Sequence, residues 1–455
     1  MRFFTSLALI GAFLLCHSHS EEKPNFIVIL TDDQSWVGTS LQIDPEDPRS
    51  KSDYYQTPNL ERLASIGVSF TDGYAPAPFC CPTRRSLLVG QTPARHLYQK
   101  DQKSWPTKYR KQLSIPRMLK AVDAHYVTAH FGKWDSRFDG VSPEEMGYDV
   151  SDGNTGNATG GGKGSGGPAV AADPKLIGGI TSRAITFMEN QVSAERPFYV
   201  QLSHYAVHLD IFYSKGAMAR AKVRPPGTKH TMAEFAAMTD DVDRAVGEVL
   251  DKVESLGIKE STYVFFLSDN GGREAIPMAP EAKLPLNHPL RDGKGSVYEG
   301  GIRVPFVVVG PGVKQGSLSR VPVTGLDILP TLADLADYRS PLPDSLDGGS
   351  LRPVLRGGDT VTRARPFLIF HQAVARKAQS AIREGDFKLV KHWEQKQVEL
   401  FDLSQDRSEA LNLSQKKPDV RKDLERKLDG FLSKVGAETR KTMSKKNKNK
   451  ASASP

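Results

Sequence analysis

The chain has 455 residues, 39 glycines, 30 prolines and a formal net charge of +8. That length buries a sizeable core and predicts two unequal domains, and the Gly and Pro content fits a loop-rich enzyme rather than a helical bundle. The charge does not describe the body: Arg2 and six cations from Arg440 onward carry most of it and leave about +1 elsewhere, so nothing in the charge argues for a nucleic-acid groove in the core.

Residues 1–20 read as a secretory signal peptide. Arg2 precedes an apolar run from Phe3 to Leu15, and Ser18 and Ser20 supply small residues for cleavage before Glu21. Leu15 before Cys16 is not small, which argues against a lipid anchor. No later stretch approaches the roughly 20 apolar residues a membrane helix needs. The expected location is therefore secreted or periplasmic. Removal of the signal leaves Cys80 and Cys81 as the cysteines, adjacent and without the spaced partners of a disulfide framework.

Asn25–Leu30 is a continuous apolar run of strand length, as in a parallel strand covered on both faces, and it ends in Thr31-Asp32-Asp33. Thr57-Pro58 opens a short helix that closes at Gly67. In Phe79-Cys80-Cys81-Pro82-Thr83-Arg84, Pro82 suits the first position of a helix ending at Gly90, which sets Cys80 just before an N-terminus that favours anions. Ser114 caps a helix leading to the strand Tyr126–His130 and the turn Gly132-Lys133-Trp134-Asp135. The segment 151–168 is mostly Gly, Ser, Asn and Thr and reads as a flexible loop that does not pack.

A helix over 176–192 leads to the strand Phe198–Leu202 and to His204 and His208. Thr231 and Glu234 form a capping box for a long amphipathic helix stopped by Gly257. The strand Thr262–Leu267 then runs into Ser268-Asp269-Asn270-Gly271-Gly272. From about residue 365 the texture changes to short strands (Phe367–Phe370, Ser380–Arg383, Phe387–Val390, Val398–Leu400) and a helix near 418–435. The expectation is an α/β fold: a largely parallel central sheet flanked by helices over 21–364, a smaller antiparallel sheet plus helix over 365–438, and a basic disordered tail at 439–455.

Polar sites of open α/β sheets lie outside the carboxyl ends of the strands. Asp32, Asp33, Asp269 and Asn270 all directly follow apolar strands there, and an all-oxygen set of this kind suits Ca²⁺ or Mg²⁺. Arg84, Lys133, His208 and Lys294 each follow a strand or lie in a Gly-flanked turn. Singly they read as surface charges. Together with a metal they would neutralise a tetrahedral oxyanion, as sulfuryl or phosphoryl transfer requires.

The run Cys80-Cys81-Pro82-Thr83-Arg84, continued by Ser86, Leu88, Gly90 and Gln91-Thr92-Pro93, resembles the Cys-x-Pro-Ser/x-Arg signature of the type I, formylglycine-dependent sulfatases of the alkaline-phosphatase-like superfamily. The resemblance extends in order through Asp32-Asp33, Gly132-Lys133-Trp134, His208, Ser268-Asp269-Asn270-Gly271, Gly293-Lys294-Gly295 and Glu399-Leu400-Phe401-Asp402. It implies a secreted sulfuric ester hydrolase acting on a sulfated carbohydrate or aryl sulfate, with Cys80 converted to formylglycine by a maturation enzyme and its hydrate acting as nucleophile. It further implies that Asp32, Asp33, residue 80, Asp269 and Asn270 hold Ca²⁺ in preference to Mg²⁺. Arg84 would orient the hydrate, Lys133 and Lys294 would hold sulfate oxygens, and His208 would bind sulfate or protonate the leaving alcohol.

Three departures stand out. Thr83 replaces the commoner Ser, Val89 a usual Thr, and Asp135 the His that usually follows Gly-Lys-Trp. A carboxylate there would repel sulfate unless paired, so Asp135 receives no catalytic role. Leu209-Asp210 also lacks the usual proline after His208. The same residues leave open a phosphomonoester or phosphonate hydrolase on the same fold, or a non-catalytic binder of sulfated polysaccharide.

Overall fold

The computed structural model describes residues 23–95, 105–134, 140–373 and 378–438. The signal segment 1–20, Asp135 and the basic tail 439–455 lie outside these residues.

An eight-stranded sheet forms the centre. Its spatial order is Val150–Ser151, Val127–Gly132, Phe198–Ser203, Asn25–Thr31, Thr262–Ser268, Phe306–Val309, Val68–Phe70 and Ser317–Ser319. Phe306–Val309 runs against both neighbours, and every other adjacent pair is parallel. The apolar run of the first strand is explained by cover on both faces. Phe26, Val28 and Leu30 enter one hydrophobic cluster with Leu87, Leu88 and Leu329, whereas Ile27 and Ile29 enter another with Ile180, Phe187 and Val249.

The C-terminal strands Phe367–Gln372, Gln379–Glu384, Phe387–His392 and Gln397–Asp402 form a four-stranded antiparallel sheet in chain order. One face packs Phe370, Ala381, Val390 and Phe401 against Tyr74, Val297, Tyr298 and Ile302 from earlier in the chain. The other packs Ile382, Leu389 and Leu400 against Leu424, Leu428, Phe431 and Leu432. These four side chains recur at helical spacing on the helix Pro418–Lys434. Among the described residues no helix is long and apolar enough to cross a membrane.

Three local expectations are corrected. The cysteine helix spans Cys80–Val89 with Phe79 as its extended N-cap, so Cys80 is its first residue and Pro82 its third. Proline at the third position still forfeits no intrahelical bond, because the first turn's N–H groups have no partner inside the helix. The long helix begins at Ala233 after Met232, without a side-chain cap; the Thr231 hydroxyl donates instead to the Pro280 carbonyl (2.8 Å), and no capping box forms. The glycine-rich segment does pack. A Cβ at Gly160 would lie 2.2 Å from the Tyr205 ring, and one at Gly166 would lie 2.4 Å from Phe212, so these glycines let backbone seat directly on aromatic faces.

Candidate active site

Strand register brings the predicted residues to one edge. Thr31 pairs with Ser268 and Gly132 with Ser203, so neighbouring strands stop level with each other. Their next residues are tied by backbone bonds: Asp269 N–H to Thr31 O (3.0 Å), Lys133 N–H to Ser203 O (2.7 Å) and Asp32 N–H to Ala206 O (2.9 Å). Asp32, Asp33, Lys133, Asp269 and Asn270 thereby share one buried floor.

The cysteine helix points its first turn at this floor. Cys80 and Arg84, four residues apart, lie on one helix face. The Arg84 guanidinium donates through Nε and Nη2 to Asp269 Oδ2 (3.0 and 2.7 Å) and through Nη1 to the Lys133 carbonyl (2.7 Å). Thr83 keeps the hydroxyl its position calls for. Its Oγ1 donates to the Ala77 carbonyl (3.1 Å) and accepts from Ala77 N–H (3.2 Å), fixing the chain that enters the helix. Val89 is a core residue beside Leu329 and Leu332, a place for an apolar side chain.

Opposite charges meet over the floor. Lys133 Nζ donates to Asp32 Oδ2 (2.6 Å), and Lys294 Nζ pairs with Asp33 Oδ1, which also accepts from Asn270 Nδ2 (2.8 Å). Lys294 is held by its own N–H on the Gly272 carbonyl (2.8 Å) and by the Gly295 N–H on Pro78 O (2.9 Å). His208 Nε2 lies 3.9 Å from Asp33 Oδ2. Its Nδ1 sits 2.5 Å from the Leu209 carbonyl. A carbonyl only accepts, so Nδ1 carries the proton and Nε2 is the atom that faces the site.

The donor set fits a hard cation. Asp32 Oδ1, Asp33 Oδ2 and Asn270 Oδ1 are buried and have no hydrogen-bond partner. Oxygens left bare in this way are costly without a cation. Ligand atoms of Asp32, Cys80 and Asp269 lie within 4.8 Å of one another, as do those of Asp32, Asp33 and His208. Burial opposes ionisation of Asp32, yet Lys133, His208, Arg84 and Lys294 hold its carboxyl far below the usual range. Asp269 is pushed up to about 7 by burial and by the neighbouring Asp32 charge, against Arg84 and Lys133. Carboxylates crowded this closely call for a positive ion between them. Burial also lowers His208, against the pull of Asp32 and Asp33, so it rests neutral. The Lys294 ammonium is raised despite its burial, chiefly by Asp33 and then Cys80.

The sequence reading missed Lys175. It is 1% exposed, and Asp32, Asp210 and Asp33 act on its charge. No periodicity or strand end marks it, and only its left-handed backbone (φ 57°) singles it out.

The model of the family described as Sulfatase matches residues 24–338, well over half of the chain. The chain belongs to the sulfatase family. A second family model, N-sulphoglucosamine sulphohydrolase, C-terminal, matches residues 288–434. A sulfatase of Formosa agariphila is 30% identical over 96% of this chain and 95% of its own. The N-acetylgalactosamine-6-sulfatase of Canis lupus familiaris is 26% identical over 78% and 70%. In fold, the sulfatase resembles the crystal structure of Ps i-CgsB in complex with k-i-k-neocarrahexaose, with a TM-score of 0.73, 24% identity and coverage of 90% of this chain and 93% of that one. It is an enzyme of sulfate ester hydrolysis with the alkaline-phosphatase-like fold.

Proposed function

We propose that this sulfatase cleaves a sulfate ester of a carbohydrate outside the cytoplasm, with formylglycine made from Cys80 by a maturation enzyme and with one Ca²⁺ ion. The observation that carries the reading is the bare, buried oxygen set of Asp32, Asp33 and Asn270 beside Cys80 at a helix start, flanked by Lys133 and Lys294. A carbohydrate substrate is supported by the name of the N-acetylgalactosamine-6-sulfatase relative and by the neocarrahexaose bound to the structural relative. Export is supported by the signal-like residues 1–20.

Hydrated formylglycine supplies a geminal diol, one hydroxyl for attack on sulfur and a second whose deprotonation later expels sulfate, a release that a thiol lacks. The ion would sit among Asp32, Asp33, Asp269, Asn270 and residue 80 and supply positive charge to oxygens there. Arg84, anchored on Asp269 and Lys133 O, fixes residue 80 relative to the floor. Lys133 and Lys294, paired with Asp32 and Asp33 at rest, bring two ammonium groups to the sulfate oxygens and stabilise charge there. His208, with Nδ1 fixed on Leu209, exchanges a proton at Nε2 with an oxygen in the pocket.

The test is expression with the maturation enzyme, followed by peptide mass and sulfate release from a panel of sulfated sugars. The expected results are a mass lower by about 18 at residue 80 and loss of sulfate release in Cys80→Ala. Full activity with an intact thiol, or faster turnover of aryl phosphate than of any sulfate ester, overturns the reading.

A further inference from the structure

We propose that Lys175 is a positioning residue of the sulfatase site: it clasps the glycine-rich wall through the Gly160 carbonyl and sets a third lysine charge behind the pocket, so that it governs substrate affinity rather than bond breaking. The inference rests on the reading above.

Lysines are almost never fully buried unless paired. Lys175 is 1% exposed, yet among the described residues its Nζ donates only to the neutral carbonyl of Gly160 (3.0 Å) and stands 5.7 Å from the centre of the Phe212 ring. Among the described residues no carboxylate touches it. One carbonyl does not repay the desolvation of an ammonium. Asp210, which holds the same wall at Gly164 N–H (2.7 Å), favours its charge together with Asp32 and Asp33, and Lys133 opposes it. Burial lowers its pKa to about 8 against those acids, so the charge survives at neutral pH.

The backbone is bent to place it. Lys175 and Leu176 have φ of 57° and 55°, consecutive left-handed residues ahead of the helix Ile177–Ser193. In each such residue the Cβ crowds the following carbonyl oxygen. Strain of this kind is retained where a site needs it.

The wall that Lys175 grips touches the reacting edge on two sides. Gly160 lies on Tyr205 and Gly161 and Gly166 lie on Phe212, aromatics that bracket His208 in the chain. Gly164 N–H donates to Asp210 (2.7 Å), and Thr155 accepts from Trp134 N–H (3.0 Å), next to Lys133. A clasp on Gly160 therefore steadies the wall against both the Lys133 turn and the His208 segment.

The experiment compares matured wild type, Lys175→Met and Lys175→Arg on one sulfate ester, with inorganic sulfate as competitive inhibitor. Activity of the wild type tests the reading of the site itself; the variants test Lys175. For Lys175→Met we expect KM and the inhibition constant for sulfate to rise about tenfold with kcat within about twofold, and for Lys175→Arg both constants to return most of the way. If Lys175→Met does not fold, Gly160→Ala, which drives the wall off Tyr205 while keeping the ammonium, is expected to raise KM with the same sparing of kcat. Unchanged KM and sulfate inhibition, loss confined to kcat, or an Arg variant no better than Met overturns the proposal.

Discussion

Arg84 binds two parts of the site with one planar group, and that planarity is testable. Its fork holds Asp269 Oδ2 with two N–H groups while Nη1 reaches the Lys133 carbonyl. A lysine offers a single point charge and cannot span both acceptors. Arg84→Lys is therefore expected to lower kcat/KM about 10²–10³-fold, the scale seen when one oriented donor is lost. Near-wild-type kinetics in the matured variant would show that the fork is dispensable. The bare oxygens make a second residue-scale prediction. If Asp32, Asp33 and Asn270 hold Ca²⁺, a concentration a hundredfold above Kd stabilises the fold by about 2.7 kcal/mol. Differential scanning calorimetry with Ca²⁺ and with a chelator reads this as a drop in Tm on chelation, and identical melting in both would count against the ion.

Among the elements, the turn after Val127–Gly132 leaves no room for a side chain at its glycine. Gly132 has φ of 95°, and a Cβ there would lie 2.1 Å from the Ser203 carbonyl oxygen, part of the backbone that receives Lys133 N–H. Gly257 also has positive φ (69°), yet a Cβ there meets nothing within 4 Å. Gly257→Ala is expected to cost only the left-handed penalty of about 1–2 kcal/mol. Gly132→Ala should cost clearly more and remove activity, because strand and turn must separate. Urea midpoints of the two variants decide it; equal midpoints would mean that the close approach is not a constraint.

The same contrast explains what was legible in the sequence. Asp32, Asp33, Asp269 and Asn270 could be read because each follows an apolar strand, and strand ends in a parallel sheet converge. Cys80 and Arg84 could be read because Cys80-Cys81-Pro82-Thr83-Arg84 matches the sulfatase signature and Pro82 marks a helix start. The helix start was misplaced because Pro82 is compatible with more than one first-turn position. The packing of Gly160 on Tyr205 and the aim of Lys175 could not be read, since both depend on contacts between segments that no local periodicity encodes.

At the scale of the molecule, the two sheets are joined by buried charges that also support the active site. Lys388 of the small sheet lies 2.7 Å from Glu299 and 2.9 Å from Glu409, all three side chains fully buried. Arg303 pairs with Glu299 (2.6 Å) and Asp72 (3.1 Å), and Arg383 reaches Asp72 from the small sheet (2.5 Å). Beside this junction Gln372 Nε2 donates to the Gly295 carbonyl (3.0 Å), and Gln379 Oε1 accepts from Ser296 Oγ and Val297 N–H (3.2 Å each), holding the turn that carries Lys294. Lys388→Met takes the shared cation from Glu409 and leaves Glu299 to Arg303 alone, and breaking such a buried pair costs about 3–5 kcal/mol.

The pH dependence separates the two acids. Burial opposes ionisation of Glu299, but Lys388 and Arg303 bring it down to about 2, below the usual glutamate value of 4.5. Its contribution is therefore complete above pH 4.5 and is lost as pH falls toward 2. Glu409 has the opposite sign. Burial lifts it to about 7 despite Lys388, so its contribution is full below pH 4.5 and is lost as pH rises through 7. Glu409→Gln removes that second loss while keeping an oxygen to accept the Glu299 N–H bond (2.7 Å). The difference in Tm, variant minus wild type, is expected to rise between pH 4.5 and 7 and then level off. A difference that is flat or falls across that window would mean that Glu409 is already ionised in the fold and that Lys388 neutralises both acids at once.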